Sequence, residues 1–173
     1  MKARHYNRRL FREIQREELD LNLCSIQESN GIEKEAIEYF SNGNKELQED
    51  VEYLVKVFTD AKEYGSILEV EKVNFEEIKE RLKEIEQEEN LMFGDYRKIL
   101  LEKLPVLVKQ AEIMSRKYEV CVTNPPYMGR RSMGNKLKSY LDKNYIKSKN
   151  DSFSVIIERV MDLTQKNKYF SLI

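Results

Sequence analysis

A chain of 173 residues with 40% hydrophobic content is long enough to bury one real core. Charged residues make up 35%, and a formal net charge of -1 excludes global attraction to nucleic acid, so any contact with DNA must come from local patches. No apolar run approaches the roughly 20 residues that span a bilayer, the basic start lacks the apolar stretch of a signal peptide, and the distant Cys24 and Cys121 fit reduced thiols, so a soluble, cytoplasmic protein without membrane contact is expected.

Residues 2 to 20 begin basic, with Lys2, Arg4, Arg8, Arg9, Arg12 and Arg16, and turn acidic at Glu17, Glu18 and Asp20. Tyr6, Leu10 and Ile14 recur near helical spacing. A solvated helix face with local ion pairs is the first reading of these arginines, and phosphate contact the second. His5 is the only histidine, and with no Cys or His cluster beside it no metal site is expected. Over 22 to 27 a short strand competes with an irregular segment, ended by the turn signal Ser29-Asn30-Gly31.

Ile32 to Phe40 reads as a short helix that Ser41-Asn42-Gly43-Asn44 terminates. The spacing of Leu47, Val51, Leu54, Val55, Phe58 and Ala61 predicts an amphipathic helix from Lys45 to Tyr64, with Gly65 as its C-terminal cap. A third helix spans about Asn74 to Asn90, with Asn74 as N-cap and Glu77 placed for a capping box. Gly94-Asp95 opens a fourth, to about Lys117, in which Pro105 should cause a kink or a break.

The chain is organised around Tyr118 to Gly129, Tyr-Glu-Val-Cys-Val-Thr-Asn-Pro-Pro-Tyr-Met-Gly. Its first half has the β-branched, apolar composition of a short buried strand. It must stop at Asn124, because two consecutive prolines cannot donate to a sheet ladder. A strand thus delivers Asn124, the rigid Pro125-Pro126 step and the Tyr127 ring to its carboxyl end, where ligands bind in open α/β sheets. Asn offers a carbonyl acceptor, and the Pro125 carbonyl is a second. Two converging acceptors suit an exocyclic amino group, taking both N–H bonds and leaving the nitrogen lone pair free to attack an electrophile. Tyr127 would give a planar amine a stacking face.

After the motif, Met128 to Gly134 reads as a loop and Asn135 to Lys143 as a helix. Arg130, Arg131, Lys136, Lys138, Lys143, Lys147 and Lys149 are opposed here only by Asp142. Phosphate contact and plain solvated surface are both readings of this cluster. Asp151 caps a helix to about Gln165, with Phe153, Ile156, Ile157, Val160, Met161 and Leu163 as its apolar side. Asn167-Lys168 then turns into a strand, Tyr169 to Ile173, so strand, helix and strand form a crossover unit of a parallel sheet.

Asn124-Pro125-Pro126-Tyr127 resembles the motif of amino-group methyltransferases that use S-adenosylmethionine. The longer text, from Val122 to Gly129, Asp151 to Phe153 and Ile157 to Arg159, is similar to the adenine-N6 DNA methyltransferases of bacterial BREX phage-defence systems, the PglX type. The opening Lys2 to Phe11 and Ile26 to Asn30 also resemble an internal segment of that family. The resemblance implies an α/β fold: a partial Rossmann-like methyltransferase sheet preceded by a mainly helical region. It implies that Asn124, Pro125, Pro126 and Tyr127 are catalytic and that Asp151 and Phe153 line the cofactor's adenine pocket; the basic cluster beside the motif then puts Arg130, Arg131, Lys136 and Lys138 where the backbone of double-stranded DNA would lie when a base is flipped. Helix cap and core aromatic are the plainer roles for Asp151 and Phe153.

The family's glycine-rich cofactor loop is expected upstream of residue 1, since no Gly-x-Gly turn joins a strand to a helix here. The chain therefore reads as the middle of a larger enzyme, divided into 1–43 (helix and connecting segment), 44–117 (helical insertion) and 118–173 (partial methyltransferase unit). Its expected partners are the rest of the parent enzyme, other defence-system subunits, or a second copy joined through sheet edges. A non-catalytic interaction domain and a protein-glutamine methyltransferase are the alternatives.

Overall fold

The computed structural model describes residues 22–88 and 93–173. The arginine-rich stretch 2–20, with His5, and the predicted helix end at Asn90 lie outside those residues. Helix α1 (Lys34–Ser41) buries Ala36, Ile37 and Phe40 and ends where Asn42 turns left-handed at φ 47°, as its Ser-Asn-Gly-Asn stop signal requires. Helix α2 (Lys45–Val57) starts at Asn44, whose side chain accepts from the Leu47 amide at 3.3 Å.

The single helix expected from Lys45 to Tyr64 is broken. Asp60 is left-handed at φ 54°, and only the short α3 (Ala61–Tyr64) follows before Gly65. The cause lies far off in sequence. The Ser29 amide donates to the Phe58 carbonyl at 3.1 Å, and the Asp60 amide donates to the Asn30 side chain at 2.9 Å. Groups that would continue the helix are thus bonded to the turn at 29–31, which closes through the Ile32 amide and the Ser29 carbonyl at 3.1 Å.

Helix α4 (Phe75–Gln87) is capped by Asn74, which accepts from the Glu77 amide at 3.4 Å. Only half of the expected capping box forms. The Asn74 amide donates to Asp50 at 2.8 Å, and the Glu77 carboxylate accepts instead from the side-chain amides of Asn74 and Asn44. Helix α5 (Gly94–Ser115) runs through Pro105 without a break. Pro105 is exposed while Leu104, Leu107 and Val108 around it are buried, so packing holds a turn that lacks one amide donor.

Residues 22–29 form no strand. The buried Gln110 of α5 supplies the pairing: its carboxamide accepts from the Gln27 amide at 2.7 Å and donates to the Gln27 carbonyl at 3.2 Å. One core fills the space between α1, α2, α4 and α5, where Phe40, Val51, Leu54, Phe58, Ile78 and Leu104 are fully buried.

Strand β1 (Tyr118–Thr123) is followed by α6 (Asn135–Asn144), α7 (Ser152–Leu163) and β2 (Thr164–Leu172). The strands pair in parallel with α7 between them in sequence, the expected strand–helix–strand unit. The turn expected at Asn167 is an irregularity inside β2: its φ is 63°, and the register jumps from Tyr118↔Thr164 to Val120↔Tyr169. The apolar composition of β1 suggests burial, yet Val120 and Val122 are 62% and 59% exposed. Side chains alternate along a strand, so Cys121 packs on the second core while its neighbours face away from it.

That second core joins Ile67, Met133, Leu141, Tyr145, Val155, Ile156 and Val160. Met161, expected on the apolar side of α7, is exposed, and Arg159 is buried in the stripe instead, donating to the Met114 carbonyl at 3.0 Å. Its aliphatic stem packs like an apolar side chain, which hydropathy does not register. The two cores meet at Tyr64 and Tyr140, whose ring centroids are 4.9 Å apart. The Tyr145 hydroxyl donates to the Ile67 carbonyl at 2.7 Å, and burial pushes its pKa well above the ordinary phenol range. Among the described residues no helix is long and apolar enough to cross a membrane.

Candidate active site

Asn124 follows the last residue of β1, and residues 124–128 carry no regular structure. The two strands end level, the Ile173 amide donating to the Thr123 carbonyl at 3.0 Å. Asn124 is exposed, Pro125 is buried and Tyr127 is 82% exposed. A carboxamide and an aromatic ring therefore stand open to solvent at the carboxyl end of a parallel pair, with a rigid proline step between them.

The segment beyond is stitched to the start of α7. The Ser152 hydroxyl donates to the Pro126 carbonyl at 2.6 Å and accepts from the Met128 amide at 3.0 Å. The Ser152 amide donates to the Met128 carbonyl and the Arg130 amide to the Asn150 carbonyl, both at 3.0 Å, around an antiparallel bridge between Gly129 and Asp151. The rings of Tyr127 and Phe153 stack with centroids 5.6 Å apart and 19° between planes. Asp151 caps α7, accepting from the Ser154 amide and hydroxyl at 3.4 Å. Asn124, Pro125, Pro126, Tyr127, Asp151 and Phe153 thus share one end of the sheet.

The basic cluster is more neutralised than its sequence suggests. Arg130 pairs with Asp142 at 2.7 Å and Lys149 with the same carboxylate at 3.0 Å. Those bonds, Arg130 foremost, hold the Asp142 carboxyl below its usual range. Lys136 reaches Asp60 in the helical region at 2.6 Å, a second opposing carboxylate beyond the Asp142 visible locally. The bond from Lys136, then that from Asn30, lowers the Asp60 pKa. Arg131 is exposed and Lys138 half-buried, and neither forms an ion pair among the described residues.

A cleft of about 730 Å³ is lined by Met114, Arg116, Lys117, Arg159 and Asp162 among others. These residues precede β1 or lie toward the end of α7, so the cleft sits at the opposite end of the unit, about 20 Å from Asn124 at the rise of an extended strand. It is not where the motif's chemistry would occur.

Residues 11–173 match the family described as Eco57I restriction-modification methylase. The chain belongs to that family. It is 40% identical over 67 residues to the adenine-specific methyltransferase PglX of Lacticaseibacillus casei (strain Zhang), covering 39% of this chain and 6% of that protein. It is 30% identical over 116 residues to the adenine-specific methyltransferase BrxX of Escherichia coli O9:H4 (strain HS), covering 65% of this chain and 9% of that protein. The chain therefore spans less than a tenth of the length of these two relatives.

Sequence reading of this Eco57I-type methylase chain overlooked Ser152. A serine one place after a capping Asp reads as an ordinary first-turn residue. The available signal was an unmet need: a loop with two prolines keeps its carbonyls but has few amides, so its acceptors must find donors elsewhere.

Proposed function

We propose that this chain is the amine-binding part of a cytoplasmic adenine-N6 DNA methyltransferase that uses S-adenosylmethionine and acts in phage defence. The reading is carried by one observation: within a methylase family, Asn124 and Tyr127 stand exposed where β1 ends at the proline step. The Asn124 and Pro125 carbonyls accept the two N–H bonds of a flipped adenine's amino group and leave its lone pair directed outward. Tyr127 stacks on the base, and Pro126 keeps the step rigid. When bound, S-adenosylmethionine supplies an electrophilic methyl group on a sulfonium.

The residues beside the motif fit one end of that cofactor. Phe153 offers a half-buried ring for the adenine, and Asp151, whose cap bonds are long at 3.4 Å, keeps acceptor capacity for hydroxyl or amino donors. Of the four cations assigned to DNA, Arg131 and Lys138 form no ion pair among the described residues, so neither has to give up a carboxylate to meet a phosphate. Arg130 and Lys136 would exchange Asp142 and Asp60 for phosphate. A full Rossmann-like sheet needs further strands at its edges and a covering layer over the exposed Val120, Val122 and Tyr169, supplied by the rest of a parent enzyme, another defence subunit or a second copy. That same exposed face favours the second reading, a non-catalytic interaction domain.

Calorimetric titration with S-adenosylmethionine, alongside methyl transfer to adenine-containing duplex DNA, tests the proposal. Saturable binding is expected, with transfer reduced at least about 10²-fold in Asn124→Ala, the loss typical of a removed transition-state hydrogen bond. Transfer to a glutamine-bearing protein instead of DNA would change the substrate class. No binding and no transfer would leave the interaction domain as the function.

A further inference from the structure

The two carbonyls of the Pro-Pro step are not equivalent. That of Pro126 is bound at 2.6 Å by the Ser152 hydroxyl, whereas that of Pro125 has no hydrogen-bond partner among the described residues. The Ser152 hydroxyl also accepts from the Met128 amide at 3.0 Å, and the Ser152 amide returns a bond to the Met128 carbonyl at 3.0 Å. The residue is only 8% exposed, and removing its hydroxyl would leave the Met128 amide and the Pro126 carbonyl without this shared partner. The next residue, Phe153, stacks on Tyr127. Neighbours of Tyr127 on both sides, Pro126 and Met128, are thus fastened to one serine, and its ring to the residue that follows it.

Helix formation does not require this serine, because Asp151 already caps α7. We infer that Ser152 is the positioning residue of the Asn-Pro-Pro-Tyr loop: its hydroxyl engages the Pro126 carbonyl, leaves the Pro125 carbonyl uncommitted as the acceptor for an amine, and holds Tyr127 against Phe153. The part concerning the amine rests on the methyltransferase reading above. The part concerning the loop stands without it.

Three variants of the full chain test this: Ser152→Ala, Ser152→Thr, which keeps the hydroxyl, and Ser154→Ala, which removes a neighbouring hydroxyl bonded only to Asp151 among the described residues. The first readout needs no activity. In Ser152→Ala the Met128 amide should exchange with solvent about 2- to 12-fold faster, one hydrogen bond's worth. The Tyr127 ring resonances should move, and the α5 amides should keep their protection. Ser152→Thr and Ser154→Ala should match the wild type. The second readout is methyl transfer from S-adenosylmethionine to adenine-containing duplex DNA. There kcat should fall about 10²-fold in Ser152→Ala, the order expected of a reacting group displaced by an ångström, with KM for the cofactor unchanged and Ser152→Thr restoring the rate.

Unchanged Met128 exchange and Tyr127 resonances in Ser152→Ala would overturn the inference. Loosening that extends to α5, without rescue by threonine, would make the serine a general stabiliser and overturn it too. Met128 exchange that responds as expected in a wild type without transfer would support the clamp and remove the methyltransferase reading.

Discussion

The helical region and the strand–helix–strand unit bury their apolar residues in opposite manners. The first closes on itself: α1, α2, α4 and α5 contribute many fully buried side chains to one continuous core. Among the described residues the second has seven buried residues in its core, one of them Ile67 from the other region, and leaves Val120, Val122, Tyr169 and Ile173 in solvent. A region of the first kind covers its own apolar surface, whereas one of the second kind leaves an apolar face open. The candidate site lies on the open unit.

The largest effect should come from the closed core. Leu104→Ala, at a fully buried position of α5, should cost about 2–5 kcal/mol in urea unfolding. Val122→Ala, a loss of similar chemistry on the open face, should change stability by no more than about 0.5 kcal/mol in the chain alone. Comparable costs would mean that Val122 is already covered, and the contrast between the regions would fail.

That contrast also explains what could be read beforehand. Helix starts at Asn44 and Asn74, the stop at Asn42 and the strand end at Thr123 all follow from residues within a few places of each other. The break at Asp60 depends on Ser29 and Asn30, and the irregular course of 22–29 depends on Gln110. Such features arise from partners that only the fold brings near. The same division runs through the site. The strand and proline step at Asn124 were legible locally, while the clamp from Ser152 and the Lys136–Asp60 pair cross 24 to 76 residues of chain.

A smaller effect probes the seam between the regions. Tyr145→Phe would leave the Ile67 carbonyl without its 2.7 Å donor and should cost about 1–3 kcal/mol, read as a drop in the urea midpoint. Retention of wild-type stability would show that the second core holds its place by packing alone.

The smallest effect concerns Asp60 and Lys136. The pair lowers the Asp60 pKa and raises that of Lys136. The Asp60 contribution is therefore present above the unfolded carboxylate pKa of about 3.9 and is lost as pH falls through the lower folded value. The Lys136 contribution is full below about 10.4 and is lost above the raised folded value. Asp60→Asn should lie slightly below wild type at neutral pH and converge with it under acid, followed by urea midpoints across pH. A constant offset down to the acid end would assign the effect to the turn at Asn30 rather than to the ion pair.

The bond pair between Gln110 and Gln27 bears on how freely the sequence can vary. Where a neighbouring strand would impose β-forming residues all along 22–29, one carboxamide serves the Gln27 backbone whatever side chains surround it, and Leu23 and Cys24 lie exposed. The constraint is moved from a segment to a single position. At 110 a glutamate would preserve the shape yet offer no donor to the Gln27 carbonyl, and a leucine would fill the space and satisfy neither group. One residue in a helix thereby gives the segment latitude to change and has almost none itself.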